Sequence, residues 1–201
     1  MSRGWPVRLN YQQIGIRPLV RSDAVKIEAV RARNLDWLTP WDATVPDGAG
    51  RPISSHAALI AFQRRKAREG LMMPFAVTWD RALVGQLTVN TITRGSAQSA
   101  SIGYWISQTH AGRGITPIAV ALVADHLLTK AGLHRVEISI RPENVASLRV
   151  VEKLGFEEIG LARRFLHIDG DWRDHRIFQV LAEDVPDGLL ARAVAAAGGT
   201  T

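Results

Sequence analysis

Residues 102–130 read IGYWISQTHAGRGITPIAVALVADHLLTK, and the reading of this stretch decides the fold. Positions 102–107 are β-branched, aromatic or small, as a buried strand requires. Gly112 and Gly114 then let the backbone turn without Cβ clashes and expose its N–H groups. Thr116 is expected as the N-cap of a following helix, with Pro117 at its first position. Ile115, Ile118, Ala119, Leu122, Val123 and Leu127 fall on one stripe of that helix. A strand that feeds a glycine-bearing loop at a helix N-terminus is a natural anion site. Orphan N–H groups and the helix dipole converge there, and the pyrophosphate of a nucleotide-type cofactor fits both.

Outward from this anchor the pattern alternates. Residues 14–20 (IGIRPLV) read as a strand, and Ser22 or Asp23 opens a helix running to Leu38. The segment 38–52, rich in Pro, Gly and Asp, is loop. Ser54 and Ser55 open a second helix that ends at Gly70. PFAVTW (74–79) and ALVGQLTVNTI (82–92) form a hairpin about Asp80-Arg81. Beyond the anchor come a strand (134–140), a helix (144–154) closed by Gly155, a strand (156–168), a DGDW turn and a final strand (173–182). That order predicts a single α/β domain with a mixed, twisted sheet of about seven strands and about four helices, neither doubly wound nor a barrel. Residues 183–201 are read as a tail that ends in a short, fraying helix.

Composition narrows the chemistry. Across 201 residues there is no cysteine, which excludes a disulfide framework, a thiolate metal site and a cysteine nucleophile. No apolar run reaches the length of a membrane span, and the polar start MSRGWPVRLNYQQ does not resemble a signal peptide. A soluble, cytoplasmic protein is therefore expected. Lys and Arg outnumber Asp and Glu by 25 to 19, a formal charge of +6, and arginine supplies most of it. Such an excess suits a polyanionic cofactor. No long basic run with interleaved aromatics is present, so direct nucleic-acid binding is not expected. No cluster has metal-ligand spacing, so no metal is expected.

The second informative stretch is RPENVASLRVVEKLGF, residues 141–156. Asn144 sits where a helix cap belongs, and Ser147 and Val151 follow on the same face. Each position has a plain local reading as well, Asn144 as a cap and Ser147 as a local hydrogen bonder.

Taken together, the strand–glycine loop–helix and the NVASLRVVEKLGF segment resemble the GNAT superfamily of N-acetyltransferases over roughly residues 14–182, which makes 1–13 an N-terminal extension. The resemblance implies acetyl-CoA in a splay between the fourth and fifth strands. Its pyrophosphate would meet Gly112, Arg113, Gly114, Ile115 and Thr116, its pantetheine arm would pair with the strand end at Ile106 and Ser107, and Asn144 would contact the cofactor. Two features depart from the family pattern. Ala111 and Thr116 replace the usual loop ends, and Val151 stands where many members carry the tyrosine that protonates the leaving thiolate. In the branch that acetylates protein N-termini a serine is implied to take that part, here Ser147.

RARNLDWLTPWDATVP (31–46) and FLHIDGDWRDHRIFQVL (165–181) are similar to the Rim-type ribosomal-protein alanine N-acetyltransferases. The similarity implies that Asn34, Trp37, Trp41, Trp172, Asp174 and His175 flank the acceptor cleft. Indoles and a carboxylate suit a peptide carrying a cationic amine. The family's glutamate on strand five aligns with Ser139, which leaves Glu137, two residues earlier on the same strand face, as the candidate general base, with Asp174 and His175 as rivals. An α-amine with a pKa near ~8 needs less help from a base than a lysine near ~10.4. The expected reaction is direct attack of a protein N-terminus, an alanine of a ribosomal protein, on acetyl-CoA, by a monomer or homodimer. A small-molecule or antibiotic acetyltransferase and a non-catalytic acyl-CoA-binding module are the alternatives.

Overall fold

The computed structural model describes residues 4–50 and 53–198. The first three residues of the expected extension, Arg51-Pro52 of the expected loop and the last three residues of the expected tail lie outside that range. Eight described strands form one sheet in the order β1-β2-β3-β4-β5-β6-β8-β7. They are β1 (Leu9–Tyr11), β2 (Ile14–Pro18), β3 (Met73–Trp79), β4 (Ala82–Thr93), β5 (Ser99–Ile106), β6 (Arg135–Ile140), β7 (Glu157–Ile168) and β8 (Asp171–Leu181). Six described helices cover it: α1 (Asp23–Ala32), α2 (Leu35–Leu38), α3 (His56–Arg68), α4 (Ile115–Thr129), α5 (Val145–Leu154) and α6 (Leu190–Gly198).

The eighth strand comes from the extension: β1 pairs antiparallel with β2 from Leu9↔Ile16 to Tyr11↔Ile14. Three residues are too short for a period-2 pattern to register. The helix expected through Leu38 breaks in two at Asn34. The Asn34 side-chain amide donates to Val30 O at 2.7 Å, and its backbone leaves helical geometry (φ −129°, ψ 25°). Asp80 (φ 46°) and Arg81 (φ 68°) make the two-residue turn between β3 and β4, with the left-handed conformations that match strand twist. Asp169 and Gly170 do the same between β7 and β8, so Trp172 belongs to the strand and pairs with His167.

Sheet alternation sorts side chains onto two faces. Ala100 and Ile102 of β5 and Val136, Ile138 and Ile140 of β6 join α4 and α5 in the larger core. Trp105 packs instead against the smaller core of Leu19, Ile27, Val30 and Ile60 under α1 and α3. Helix α4 is buried on nearly every side, which is why its apolar residues exceed a single stripe. Within the described residues the expected tail forms α6 and packs onto the core. Leu189 and Ala193 lie in the main core, and the Asp125 carboxylate accepts from the N–H groups of Leu189 (2.7 Å) and Leu190 (3.1 Å) at the start of α6.

Candidate active site

Strand β5 follows β4 along its length but pairs with β6, in parallel, only from Ser99↔Arg135 to Ser101↔Glu137. Beyond Ser101 the two strands part, and the gap is the splay expected between the fourth and fifth strands of the sequence reading. Ser107 N–H donates to Val84 O at 2.8 Å, so Ser107 faces β4. Alternation then points the backbone groups of Tyr104 and Ile106 into the gap. The Ile106 carbonyl is taken by the Trp37 indole N–H at 3.0 Å. The open edge is thus centred on Tyr104, one step further in than Ile106–Ser107.

The loop after β5 ends in Gly112 (φ 76°) and Gly114 (φ 74°), both left-handed. Gly114, not Thr116, is the residue before the first helical turn, and Pro117 stands third in α4. Proline is tolerated there because first-turn N–H groups have no intrahelical acceptor. The first bond of the helix is Ile118 N–H to Gly114 O. Among the described residues no acceptor meets the N–H groups of Gly112, Arg113, Gly114, Ile115 or Thr116. Five free amides at a helix N-terminus, with the exposed Arg113 beside them, fit a pyrophosphate. Burial, aided by the Arg113 charge, lowers the His110 pKa, so this imidazole adds no fixed charge at neutral pH.

Asn34 holds this loop in place. Its Oδ1 accepts from Gln108 N–H (2.8 Å) and the Ser107 hydroxyl (3.3 Å), and the residue is buried. Its side-chain amide is thereby fully engaged behind the loop. At the N-terminus of α5, Asn144 caps through Oδ1, which accepts from Ser147 N–H at 3.1 Å. Ser147 is half-buried on the side of the gap where Tyr104 points, while Val151 is sealed in the core.

Glu137 and His175 belong to the opposite face, and the remaining candidates to the 37–41 segment and the β7–β8 hairpin. Glu137 projects to that face by alternation with Val136 and Ile138, level with the last β5–β6 pair, and its carboxylate accepts from Arg135 Nε at 2.6 Å. The chain that continues past Trp41 to Thr44 meets the β7–β8 hairpin in space, although Thr44 and His167 are 123 positions apart. Thr44 N–H donates to His167 O (2.9 Å), Thr44 Oγ1 bonds His167 Nδ1 (2.8 Å) and accepts from Gly170 N–H (3.0 Å). Arg141, which the sequence reading passed over, fixes the Pro40–Trp41 end of that segment. Its guanidinium stacks 5.3 Å from the Trp41 ring centroid and donates to Pro40 O at 2.7 Å. Its position just before the Asn144 cap was the one available signal.

His175 is buried, with Nδ1 3.0 Å from Arg173 O and its ring edge-on to Phe165. Burial lowers its pKa, and Arg141 adds to this against the opposing Arg173 carbonyl, Glu143 and Asp174; the ring is neutral at pH 7. Asp174 accepts from Arg164 N–H at 2.7 Å within the hairpin, and Trp172 lies half-exposed at its tip against His167. Among the described residues no group of three or more His, Asp or Glu side chains gathers as a metal would need.

The chain matches the family model of the acetyltransferase (GNAT) domain over residues 13–157. It is 33% identical over 178 residues to a Bacillus subtilis protein named "Probable N-acetyltransferase YjcK", covering 88% of this chain and 98% of that one. The [ribosomal protein uS5]-alanine N-acetyltransferase of Escherichia coli is 26% identical over 184 residues, 90% of this chain and 94% of its own. Among solved structures, Mycobacterium smegmatis RimJ in complex with CoA-disulfide superposes with a TM-score of 0.88 at 36% identity, over 98% of this chain and 97% of that chain. With the parted strands and the amide-lined loop that the fold provides, this chain belongs to the GNAT family of acetyltransferases.

Proposed function

We propose that this acetyltransferase moves the acetyl group of acetyl-CoA to the N-terminal α-amine of a protein, an N-terminal alanine of a ribosomal protein. The observation that carries the reading is that one segment, 37–44, reaches the β5 edge through Trp37 and the β7–β8 hairpin through Thr44, with Trp41 held by Arg141 between them. Similarity to the uS5-alanine N-acetyltransferase over nearly the whole of both chains supports the same acceptor.

In this reading the pyrophosphate rests on the amides of Gly112 to Thr116, with Arg113 and Asn144 beside it. The pantetheine arm pairs with the β5 edge at Tyr104 and at the N–H of Ile106 like an added strand. The thioester then lies between Ser147 on the α5 side and the acceptor face on the other. The neutral amine attacks the thioester carbon, the C–N bond forms and the C–S bond breaks. The electron pair of that bond leaves on sulfur, which Ser147 stabilises by hydrogen bonding. The proton shed by nitrogen goes to a base on the acceptor face. Glu137 already accepts from Arg135, which engages its carboxylate. His175, neutral and oriented, is the better-supported acceptor.

Incubation of the protein with acetyl-CoA, an alanine-initiated ribosomal-protein peptide and a panel of small amines tests the reading. Acetylation of the peptide α-amine, located by mass spectrometry, is expected. Turnover of small amines alone overturns it, and tight acetyl-CoA binding without any turnover points to an acyl-CoA-binding module.

A further inference from the structure

The family position that usually supplies a phenol to the leaving thiolate is Val151, buried in the core and unable to reach any proton. A different phenol lies at the same gap. Tyr104 sits on β5, beyond the last residue that pairs with β6, and its side chain points to the α4–α5 side. The Tyr104 hydroxyl is fully buried and has no hydrogen-bond partner among the described residues. A buried hydroxyl left without a partner costs on the order of 1–3 kcal/mol, so such a group calls for an explanation. Ser147, in the first turn of α5, is the polar side chain that bears on it. The Ser147 backbone is fixed by the Asn144 cap, whereas its hydroxyl closes no hydrogen bond of ordinary geometry among the described residues. Two hydroxyls without settled partners therefore face each other where the thioester is read to lie.

We propose that Tyr104 is a positioning residue for acetyl transfer: with coenzyme A in place, its phenol donates to the Ser147 hydroxyl and so directs that hydroxyl's own hydrogen onto the sulfur of the departing coenzyme A. The inference rests on the function read above. Both hydroxyls keep their protons throughout; the pair on sulfur is met by a hydrogen bond from Ser147, and the amine's proton leaves on the acceptor side. Magnitudes decide between donating a hydrogen bond and donating a proton. Burial raises the Tyr104 pKa well above its ordinary value of 10.0, with Ser147 partly offsetting this, whereas a thiol sits near ~8.5. Protonation of the thiolate by this phenol would run uphill by more than an order of magnitude. A neutral phenol strengthens the next hydroxyl's bond instead, because consecutive hydrogen bonds polarise one another.

The test is Tyr104→Phe, measured beside Ser147→Ala and the double variant. Expected for Tyr104→Phe is a fall in kcat of about tenfold with KM for acetyl-CoA changed less than about twofold. The Tm of the ligand-free protein should not drop, since there the change removes a buried hydroxyl that has no partner among the described residues. In the Ser147→Ala background the same substitution should alter kcat by less than about twofold. A second readout needs no acceptor: the thiol of bound coenzyme A, followed by thiolate absorbance as pH rises, should ionise about one pH unit higher in Tyr104→Phe than in wild type. An unchanged thiol titration, or fully additive kcat effects of the two substitutions, overturns the inference. Should Tyr104→Phe unfold, meta-fluorotyrosine at 104 keeps the shape and must lower the bound thiol's pKa; no change overturns the proposal. Wild-type protein inert toward the alanine peptide sinks the assigned function, and the bound-thiol titration still decides the role of Tyr104.

Discussion

Gly112 stands at φ 76° with open space where a Cβ would sit, so backbone conformation and not crowding requires glycine there. Gly112→Ala should cost about 1–2 kcal/mol in the left-handed region and re-aim the loop amides. The dissociation constant for acetyl-CoA, measured by calorimetry, is expected to rise about tenfold; an unchanged value removes this loop from the cofactor site. Asn34 makes the complementary case. The resemblance placed it at the acceptor, whereas its amide and carbonyl hold Val30 O, Gln108 N–H and Ser107 Oγ from behind. Asn34→Ala, which strands those buried groups, should destabilise by about 1–3 kcal/mol. It should also raise KM for acetyl-CoA more than KM for peptide, the reverse of an acceptor-binding residue. His175 supplies the pH signature. Its pKa is depressed chiefly by burial, so the neutral, proton-accepting ring persists at pH 7 and is lost as pH falls through a value below 6.5. A limb in that acid range should appear in kcat and vanish in His175→Gln, while the limb of the amine itself near ~8 in kcat/KM stays. Persistence of the acid limb in that variant, with its loss in Glu137→Gln, returns the role to Glu137.

At the scale of elements, the gap exists because β5 is clamped to β4 on one side and released by β6 on the other. Gly85 of β4 makes that clamp possible, since a Cβ there would lie 2.4 Å from Trp105 O and 3.1 Å from Ile106 Cα, both backbone atoms. The adjoining register shift at Val77/Thr78 shows the ladder already bending at this level. Gly85→Ala should therefore push the end of β5 outward, costing about 1–3 kcal/mol of overpacking and weakening acetyl-CoA binding together. Thermal unfolding and calorimetry on one preparation check the pair; lost stability with intact binding would separate the clamp from the cofactor edge. The glycine loop and both hairpin turns were legible because glycines or fixed two-residue spacing mark them locally. The break at Asn34 was not, since its cause is a carbonyl on α1 and a loop 74 positions away.

At the scale of the whole molecule, α1 is tied to β2 by a buried pair. Asp23, 1% exposed, accepts both Arg17 guanidinium bonds at 2.7 Å and the Val20 N–H at 2.9 Å. Burial alone would raise the Asp23 pKa, but the Arg17 and Val20 hydrogen bonds outweigh it and hold the value below 3.8. A folded pKa below the unfolded one means the carboxylate stabilises the fold above pH 3.8 and loses that contribution as pH falls through the folded value. Asp23→Asn should cost about 3–5 kcal/mol at pH 7, because it leaves Arg17 half-desolvated without its counter-charge. Denaturant melts should show the gap between variant and wild type closing in acid below that value; a gap independent of pH would place the effect in packing. Asp125, which caps α6, runs the other way: burial raises its pKa, so its contribution is fullest below pH 3.8 and declines as pH rises through the folded value.

Sequence alone determined what repeats or punctuates locally: the strand–glycine loop–helix, the Asn144 cap, the Gly155 stop, the hairpins and the resemblance that named acetyl-CoA. These depend on neighbours a few residues apart, and the chain spells them out. Only the tertiary structure decided which groups are already spoken for. It assigned Asn34 to the loop, the Ile106 carbonyl to Trp37, Glu137 to Arg135 and the start of α4 to Gly114. It also left the Tyr104 hydroxyl alone beside Ser147. Hydrogen-bond satisfaction joins residues dozens of positions apart, so it becomes readable only when the sheet has closed on one side of β5 and opened on the other.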